Sequence, residues 1–397
     1  MKHTFGEIFM PASSLLADQS NKSESYHKPK KEIQELVTLE QRYSFIGSNH
    51  TYDKSNIKTI YRAKAPLRLG LAGGGTDISP YSDLYGGAVL NAAINMYAFA
   101  SIQPRTDGMI EIISTDFSEN LLIQSSKSLD INGNLILLKG IYNKIVKDFT
   151  KKPLSFTLIT DTNVPICSGL GTSSAITVAV IGAFAEWLQL PLGEYEVAHL
   201  AFEIERKELG LAGGKQDQYA AAFGGFNFME FYKNDEVLIN PLRIKEDYIL
   251  ELENNLLLFF TGKSRFSAEI IEKQVKAMKS DEGTVEYMHK MKDAAFEMKK
   301  LLLKGRLYEL GELLDVIWRY KKNTGENVST DFIDEIYTTA RESGAIGGKV
   351  SGAGGGGFMF FYCPGNNKYK VIQNLSKFKG DIRRFEFIKE GLITWET

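Results

Sequence analysis

A chain of 397 residues, 43% hydrophobic and 24% charged, has the balance of a globular protein able to bury a large core, and its length is that of two packed domains. A formal net charge of −2 provides no broad basic field, which argues against nucleic acid as a partner because the release of phosphate counterions cannot drive binding. The two cysteines, Cys167 and Cys363, lie far apart and outside any Cys/His cluster, so neither a disulfide framework nor a zinc site is expected, and a reducing cytoplasm fits.

Residues 1–58 are polar and lysine-rich and read as an appended arm. Within it, 9–17 is interrupted by Pro11 and follows the acidic Glu7, unlike a signal peptide. From Ile60 the texture changes to short β-rich runs at 59–61 leading into 67–72, then 98–103, 109–114 and 154–160. Helical periodicity takes over at 175–188 and 192–209, and again at 267–279, 284–303, 307–322 and 330–343. Strands return at 256–260, 357–362 and 384–388. The expected organisation is therefore α+β, with a first domain over 59–235, a second over 236–397 and the boundary near 234–247. The apolar run at 176–185 is far shorter than the roughly 20 residues a membrane helix needs, so no membrane partner is expected. Among five scattered histidines, only His199 with Glu203 has ligand-like spacing, and an ordinary helix face accounts for it.

Three glycine-rich segments carry the chemistry. Pro165-Ile-Cys-Ser-Gly-Leu-Gly-Thr-Ser-Ser-Ala175 stands between an expected strand and a long apolar helix. Gly169 and Gly171 let a backbone approach an anion, the helix start presents unpaired N–H groups, and Thr172, Ser173 and Ser174 add hydroxyls. A serine-capped helix after a tight turn explains the same residues without a ligand. A dinucleotide fingerprint fails for want of a glycine at Ser174, and Walker A fails because Leu257 stands five residues before Gly262-Lys263. The second segment, Ala65-Pro-Leu-Arg-Leu-Gly-Leu-Ala-Gly-Gly-Gly-Thr-Asp77, runs from a strand into a turn that can present Asp77 to sugar hydroxyls. The third, Gly347-Gly-Lys-Val-Ser-Gly-Ala-Gly-Gly-Gly-Gly357, is expected to pack closely on another backbone. Between them, Glu205 and Asp217 are suited to a magnesium nucleotide site, which needs one carboxylate for the metal and another near the acceptor hydroxyl.

In order and spacing these segments resemble the three motifs of the GHMP kinase superfamily over about residues 60–362. Within it, residues 62–77, 213–228 and 350–361 look like those of the D-glycero-D-manno-heptose 7-phosphate kinases. The resemblance implies a two-domain fold with an N-terminal domain like domain 2 of ribosomal protein S5 and a ferredoxin-like C-terminal domain. It also implies transfer of the ATP γ-phosphoryl group, with Mg2+, to the anomeric hydroxyl of the heptose 7-phosphate, giving the 1,7-bisphosphate used for surface polysaccharide. A kinase of another sugar such as fucose, and a catalytically silent sugar or nucleotide sensor, remain open. A homodimer is compatible with the sequence.

By family position, Pro165, Ser168, Gly169, Leu170, Gly171, Thr172, Ser173, Ser174 and Ala175 wrap the nucleotide phosphates, and Ser173 with Glu205 matches the metal ligands. Asp217 matches the aspartate beside the acceptor hydroxyl, expected to orient it and take its proton late, with Arg68 as its paired cation. Gly74, Gly75, Thr76, Asp77, Gly352 and Gly354 are expected at the acceptor. For the phosphate of the sugar, the sequence offers Lys215, Lys263 with Arg265, Arg319, and Lys321 with Lys322. Lys321 and Lys322, in the region where related kinases place acceptor contacts, are favoured, and Lys215 is a further candidate. The chain departs from the pattern in its first 58 residues and at Ile166-Cys167, where Cys167 narrows the loop entrance.

Overall fold

The computed structural model describes residues 59–133, 135–263 and 267–397; the expected arm and Arg265 lie outside the described residues. The chain begins with β1 (Tyr61–Ala72), a short helix α1 (Tyr81–Tyr85) and the long β2 (Gly87–Pro104), followed by the hairpin β3 (Met109–Ser114) and β4 (Glu119–Gln124). Helix α2 (Ile136–Ile145) continues as a π-helical turn at Val146–Thr150 and leads to β5 (Phe156–Thr162). Next come α3 (Thr172–Leu188), α4 (Glu194–Phe202) with a second π-helical turn at Glu203–Glu208, α5 (Gln216–Phe223), β6 (Phe226–Phe231) and β7 (Val237–Pro241). The remainder runs α6 (Glu246–Asn255), β8 (Leu256–Phe260), α7 (Ser267–Ser280), α8 (Glu282–Leu303), α9 (Leu307–Lys322), α10 (Asp331–Glu342), β9 (Gly347–Val350), β10 (Phe358–Tyr362), α11 (Asn367–Leu375), β11 (Asp381–Arg383) and β12 (Ile393–Glu396).

Eight strands form one sheet in the order β12-β1-β2-β5-β3-β4, with β6 also on β2 and β7 on β6. All its pairings are antiparallel except β3 with β5. Strands β7 and β12, both beyond residue 236, thus belong to the same sheet as β1. The second sheet, order β11-β8-β10-β9, is antiparallel throughout.

The uninterrupted apolar runs of β8 and β10 follow from burial on both faces. Leu256, Leu258, Phe358, Phe360 and Tyr362 enter the main core, while Leu257, Phe259, Met359 and Phe361 face a second core with Trp318, Ile336 and Val371. Helix α3 is buried nearly all round because it packs on β1, β2 and α5. Phe184 on α3 meets Phe156 of β5 edge-on at 5.2 Å, and Trp187 stacks on Phe184 at 6.1 Å.

Two expectations need correction. Residues 384–388 form no strand of the second sheet: they leave β11 and run beside the middle of β2, where Ile388 N donates to Ala93 O at 3.1 Å. Phe385 and Phe387 are drawn there by the main core, Phe387 lying 4.7 Å from Phe226. The helix expected at 192–209 is α4 followed by its π-helical turn. One lysine ties the two π-helical turns together: Lys144 pairs with Asp148 at 3.0 Å, Glu203 at 3.3 Å and Glu208 at 3.1 Å.

The edge-to-face contact makes a stability prediction. Phe184→Ala should leave a cavity costing about 3–5 kcal/mol, read as a lowered urea midpoint with an unchanged m-value.

Candidate active site

The three glycine segments converge. The loop before α3 turns through left-handed backbone at Cys167, Gly169 and Gly171, which aims the free N–H groups of the first helical turn outward. The loop after β9 lies directly on it. A Cβ on Gly169 would fall 2.6 Å from Ser351 O, and one on Gly352 only 2.7 Å from Gly169 O, so both positions exclude any side chain. The expectation of close backbone packing for the third segment holds, and the surface it packs on is the first loop.

Arg68, on β1 and 4% exposed, fastens this junction. Its Nε donates to Asp217 Oδ1 at 2.8 Å, its Nη2 lies 2.7 Å from the same oxygen, and its Nη1 donates to Gly169 O at 2.7 Å. The Arg68 backbone N–H donates to Leu170 O at 3.1 Å, so strand and side chain grip the same loop. Asp217 sits in the first turn of α5, where the helix end favours a carboxylate, with Gly171 close enough that a Cβ there would lie 3.3 Å away.

Asp77, 1% exposed, joins the turn after β1 to the start of α5. It accepts from Gly75 N at 3.0 Å, Lys215 N at 3.0 Å, Gln216 N at 3.1 Å and Gln216 Nε2 at 3.1 Å. Thr76 is wholly buried, its hydroxyl donating to Gly73 O at 2.8 Å. It holds the turn and does not face the cavity.

Glu205 lies in the π-helical turn, fully buried behind the phosphate-type loop. Ser174 Oγ donates to it at 2.8 Å, Thr177 Oγ1 at 3.1 Å and Ser173 Oγ at 3.2 Å; Gln218 Nε2 donates as well, and Arg206 Nη2 lies 3.4 Å away. Of the loop hydroxyls, only that of Ser173 belongs to an exposed residue; those of Ser168 and Thr172 pair with each other at 3.0 Å.

A cavity of about 490 Å³ opens among these segments. Gly74, Gly75, Asp77, Ser168, Gly169, Gly171, Thr172, Ser173, Ser174, Asp217 and Gly352 reach its wall, whereas Pro165, Leu170, Ala175, Thr76, Lys215, Lys322 and Gly354 do not. One wall is apolar, made by Leu135, Ile136, Leu138 and Ile176. Cys167 also lines it, and burial raises its thiol pKa. The helix at 136–150 is not among the sequence expectations, although Leu138, Ile141, Tyr142, Ile145 and Val146 keep helical spacing. Arg206 and Lys349 are not among them either; their only signal was a cation inside a glycine-rich or apolar stretch.

Of the lysines expected to hold a sugar phosphate, Lys321 reaches the cavity wall, while Lys322 and Lys215 are engaged elsewhere. Lys322 pairs with Asp334 at 3.3 Å on the outside of α9. Lys215 is buried between Asp83 at 3.2 Å and Asp235 at 2.9 Å. Among the described residues no three His, Cys, Asp or Glu side chains cluster as metal ligands; His199 and Glu203 form a lone pair at 3.5 Å. No helix of the described residues is long and apolar enough to cross a membrane.

Residues 137–225 match the model of the GHMP kinase N-terminal domain, and residues 298–381 that of the GHMP kinase C-terminal domain. The D-glycero-alpha-D-manno-heptose 7-phosphate kinase of Campylobacter jejuni is 51% identical over 339 residues, which cover 85% of this chain and 99% of that one. The chain belongs to the GHMP kinases. A crystal structure of a D-glycero-D-manno-heptose 1-phosphate kinase from Bacteroides thetaiotaomicron is 44% identical, with a TM-score of 0.72 over 84% of this chain and 98% of that chain. The bifunctional fucokinase/GDP-fucose pyrophosphorylase of Arabidopsis thaliana is 26% identical over 82% of this chain, and the match spans 32% of that protein. In this GHMP kinase, as in the sequence expectation, the two glycine loops and the Arg68–Asp217 pair occupy one cavity.

Lys215 is assigned a structural role by its partners. Burial raises the Asp83 and Asp235 carboxyls, but hydrogen bonds from Ser79 to Asp83 and from Lys207 to Asp235, together with Lys215 beside both, hold them below the ordinary carboxylate range. Carboxyls held low stabilise the fold above about pH 4, and that contribution is lost as the pH falls through their folded values. Lys215→Met should therefore cost about 1–3 kcal/mol near pH 7, after allowing for the partial exposure of both carboxylates. The deficit should shrink in acid, as measured by urea unfolding across pH.

Proposed function

We propose that this GHMP kinase transfers the γ-phosphoryl group of ATP to a hydroxyl of a phosphorylated heptose, at the anomeric position. The observation that carries the reading is the junction itself: one arginine holds Asp217 and the backbone of the phosphate-type loop side by side at the wall of a single cavity. An acceptor hydroxyl beside Asp217 then lies next to the loop that would hold the donor phosphates.

Each group has a role in that geometry. The free N–H groups at the start of α3 bind phosphate oxygens, while the apolar wall at Leu135, Ile136, Leu138 and Ile176 accepts the nucleobase. Asp217 orients the acceptor hydroxyl and takes its proton as the new bond forms, late in a loose phosphoryl-transfer transition state. Arg68 holds one carboxylate oxygen with two of its N–H groups, which keeps Asp217 beside the loop and leaves the other oxygen to the acceptor. Ser173 Oγ and Glu205 are oxygen donors of the kind Mg2+ takes, an ion that keeps most of its shell as water and phosphate oxygens. Ser173 is the oxygen donor at the cavity wall and would hold a magnesium ion there, with Glu205 buried behind it and acting through the Ser173 hydroxyl; the ion would neutralise charge on the nucleotide phosphates.

The heptose reading is supported by the 51% identity to a heptose 7-phosphate kinase, against 26% to a fucokinase. Retention of Arg68, Asp217, Ser173 and Glu205 in bonded arrangement favours an enzyme over a silent sensor. The names of the two heptose kinase relatives place the phosphate of the substrate at different carbons. ADP release measured over a panel of heptose 7-phosphate, heptose 1-phosphate, heptose and fucose tests the acceptor directly. Turnover of the 7-phosphate above all others is expected, and preference for fucose or absence of turnover on every sugar would overturn the reading. Asp217→Asn should lower kcat by about 100-fold or more, the span of general base catalysis, while nucleotide Kd stays within about twofold. A near-normal kcat would remove Asp217 from that role.

A further inference from the structure

Five lysines are buried among the described residues; Lys139 donates to Asn132 O at 2.8 Å away from the cavity wall, and the other four divide into two kinds. Lys144 and Lys215 are surrounded by three and two carboxylates respectively. Lys321 and Lys349, each 4% exposed, are not. The Lys321 ammonium donates to Gly352 O, and that of Lys349 to Gly70 O, so each rests on a backbone carbonyl of a glycine segment. The Lys349 ammonium also stands 4.9 Å from the centre of the Phe360 ring.

Charged neighbours make the imbalance plain. Lys321 feels Arg68 as a repelling cation and Asp77 and Asp217 as attracting anions. Both of those carboxylates are already taken, Asp217 by Arg68 and Asp77 by four N–H donors. Lys349 feels only the repulsion of Lys321 and Arg68. All three cations reach the wall of the same cavity. Burying an ammonium is costly unless an anion compensates it, and among the described residues no unengaged carboxylate stands beside these two lysines.

We propose that Lys321 and Lys349 form a phosphoryl-oxyanion site at the base of the cavity, in which the oxygens of a bound phosphoryl group supply the negative charge that no carboxylate there supplies. The identity of the ligand rests on the kinase reading, but the affinity for an oxyanion does not. The phosphoryl group has two sources, the phosphate already on the sugar and the group in transfer beside Asp217. The shared chemistry, a tetrahedral oxyanion met by two ammonium groups and the Arg68 guanidinium, is the same for both.

The test compares the intact wild-type chain with Lys321→Met and Lys349→Met, with inorganic phosphate as the probe. Phosphate should raise the Tm of the wild type and raise that of each variant much less. Without phosphate, the variants should melt no lower than the wild type, because methionine removes an uncompensated charge and keeps the apolar stem. Variants that melt lower yet respond to phosphate as the wild type does would make the lysines structural and overturn the proposal.

Kinetics then separate the two sources. If the site takes the phosphate of the sugar, each variant raises KM for the phosphosugar at least about tenfold with a smaller change in kcat. If it takes the group in transfer, kcat falls at least about tenfold with phosphorylated and unphosphorylated sugars alike, while nucleotide Kd is kept; each is a loss typical of one removed transition-state or ground-state contact. Unchanged kinetics in both variants would overturn the proposal.

A measurement on the wild type alone guards against variants that fail to fold. Burial lowers the Lys321 pKa to about 8. The groups facing it are Arg68, Asp77, Asp217 and Lys349. At about pH 8.5 phosphate binding should therefore draw protons onto the lysines. Calorimetric titration in buffers of different ionisation enthalpy reads that uptake, and binding with none would overturn the proposal. If no sugar on the panel is turned over, the kinase reading fails while the phosphate and proton measurements still decide this one.

Discussion

The ion pair between Arg68 and Asp217 is the contact on which the site depends, because it is shared by three segments that are remote in sequence. Arg68 comes from β1, Asp217 from α5, and the third partner of the guanidinium is the carbonyl of Gly169 in the loop before α3. A lysine could reach one of these groups but not hold all of them in one plane, because only the guanidinium offers several donors in a fixed fork. Since Arg68 is buried and Asp217 is partly open to the cavity, the pair is anchored on one side and available to a ligand on the other.

Around that pair the site is built from backbone more than from side chains. The loops before α3 and after β9 approach so closely that Gly169 and Gly352 leave no space for a Cβ. Asp77 then gathers four N–H donors from the turn after β1 and the start of α5, fixing where Asp217 begins. On the far side Glu205 is reached through a π-helical turn, and Lys144 joins that turn to the one at the end of α2. Such turns add a residue to the helical repeat and so rotate the side chains beyond them about the helix axis. Here they set Glu205 behind the serines of α3, and the same helix α2 contributes the apolar wall of the cavity.

The distribution of buried charge separates scaffold from binding surface. Where Lys144 and Lys215 sit, carboxylates from neighbouring elements meet them, and the protein is electrically complete there. Within the cavity the balance is reversed, with Arg68, Lys321 and Lys349 outnumbering the carboxylates available to them. A site that must receive highly anionic substrates gains from this arrangement, because the desolvation of its cations is offset only when the substrate arrives.

The sequence by itself determined the parts whose signals are local. Helices at 175–188, 267–279, 284–303, 307–322 and 330–343 were legible from apolar periodicity, and the phosphate-type loop from glycines and hydroxyls before a helix. The pairing of Arg68 with Asp217 was legible only through resemblance to a family, and the structure has it. Tertiary structure decided the rest, because burial and charge pairing arise between segments that no local pattern connects. It turned Thr76 and Lys215 into supports, sent 384–388 to β2 in place of the second sheet, and left Lys322 on the surface beside Asp334. It also kept Lys321 of the expected pair as a cation of the cavity and added Lys349, since which lysine keeps an unpaired charge depends on which carboxylates the fold brings near.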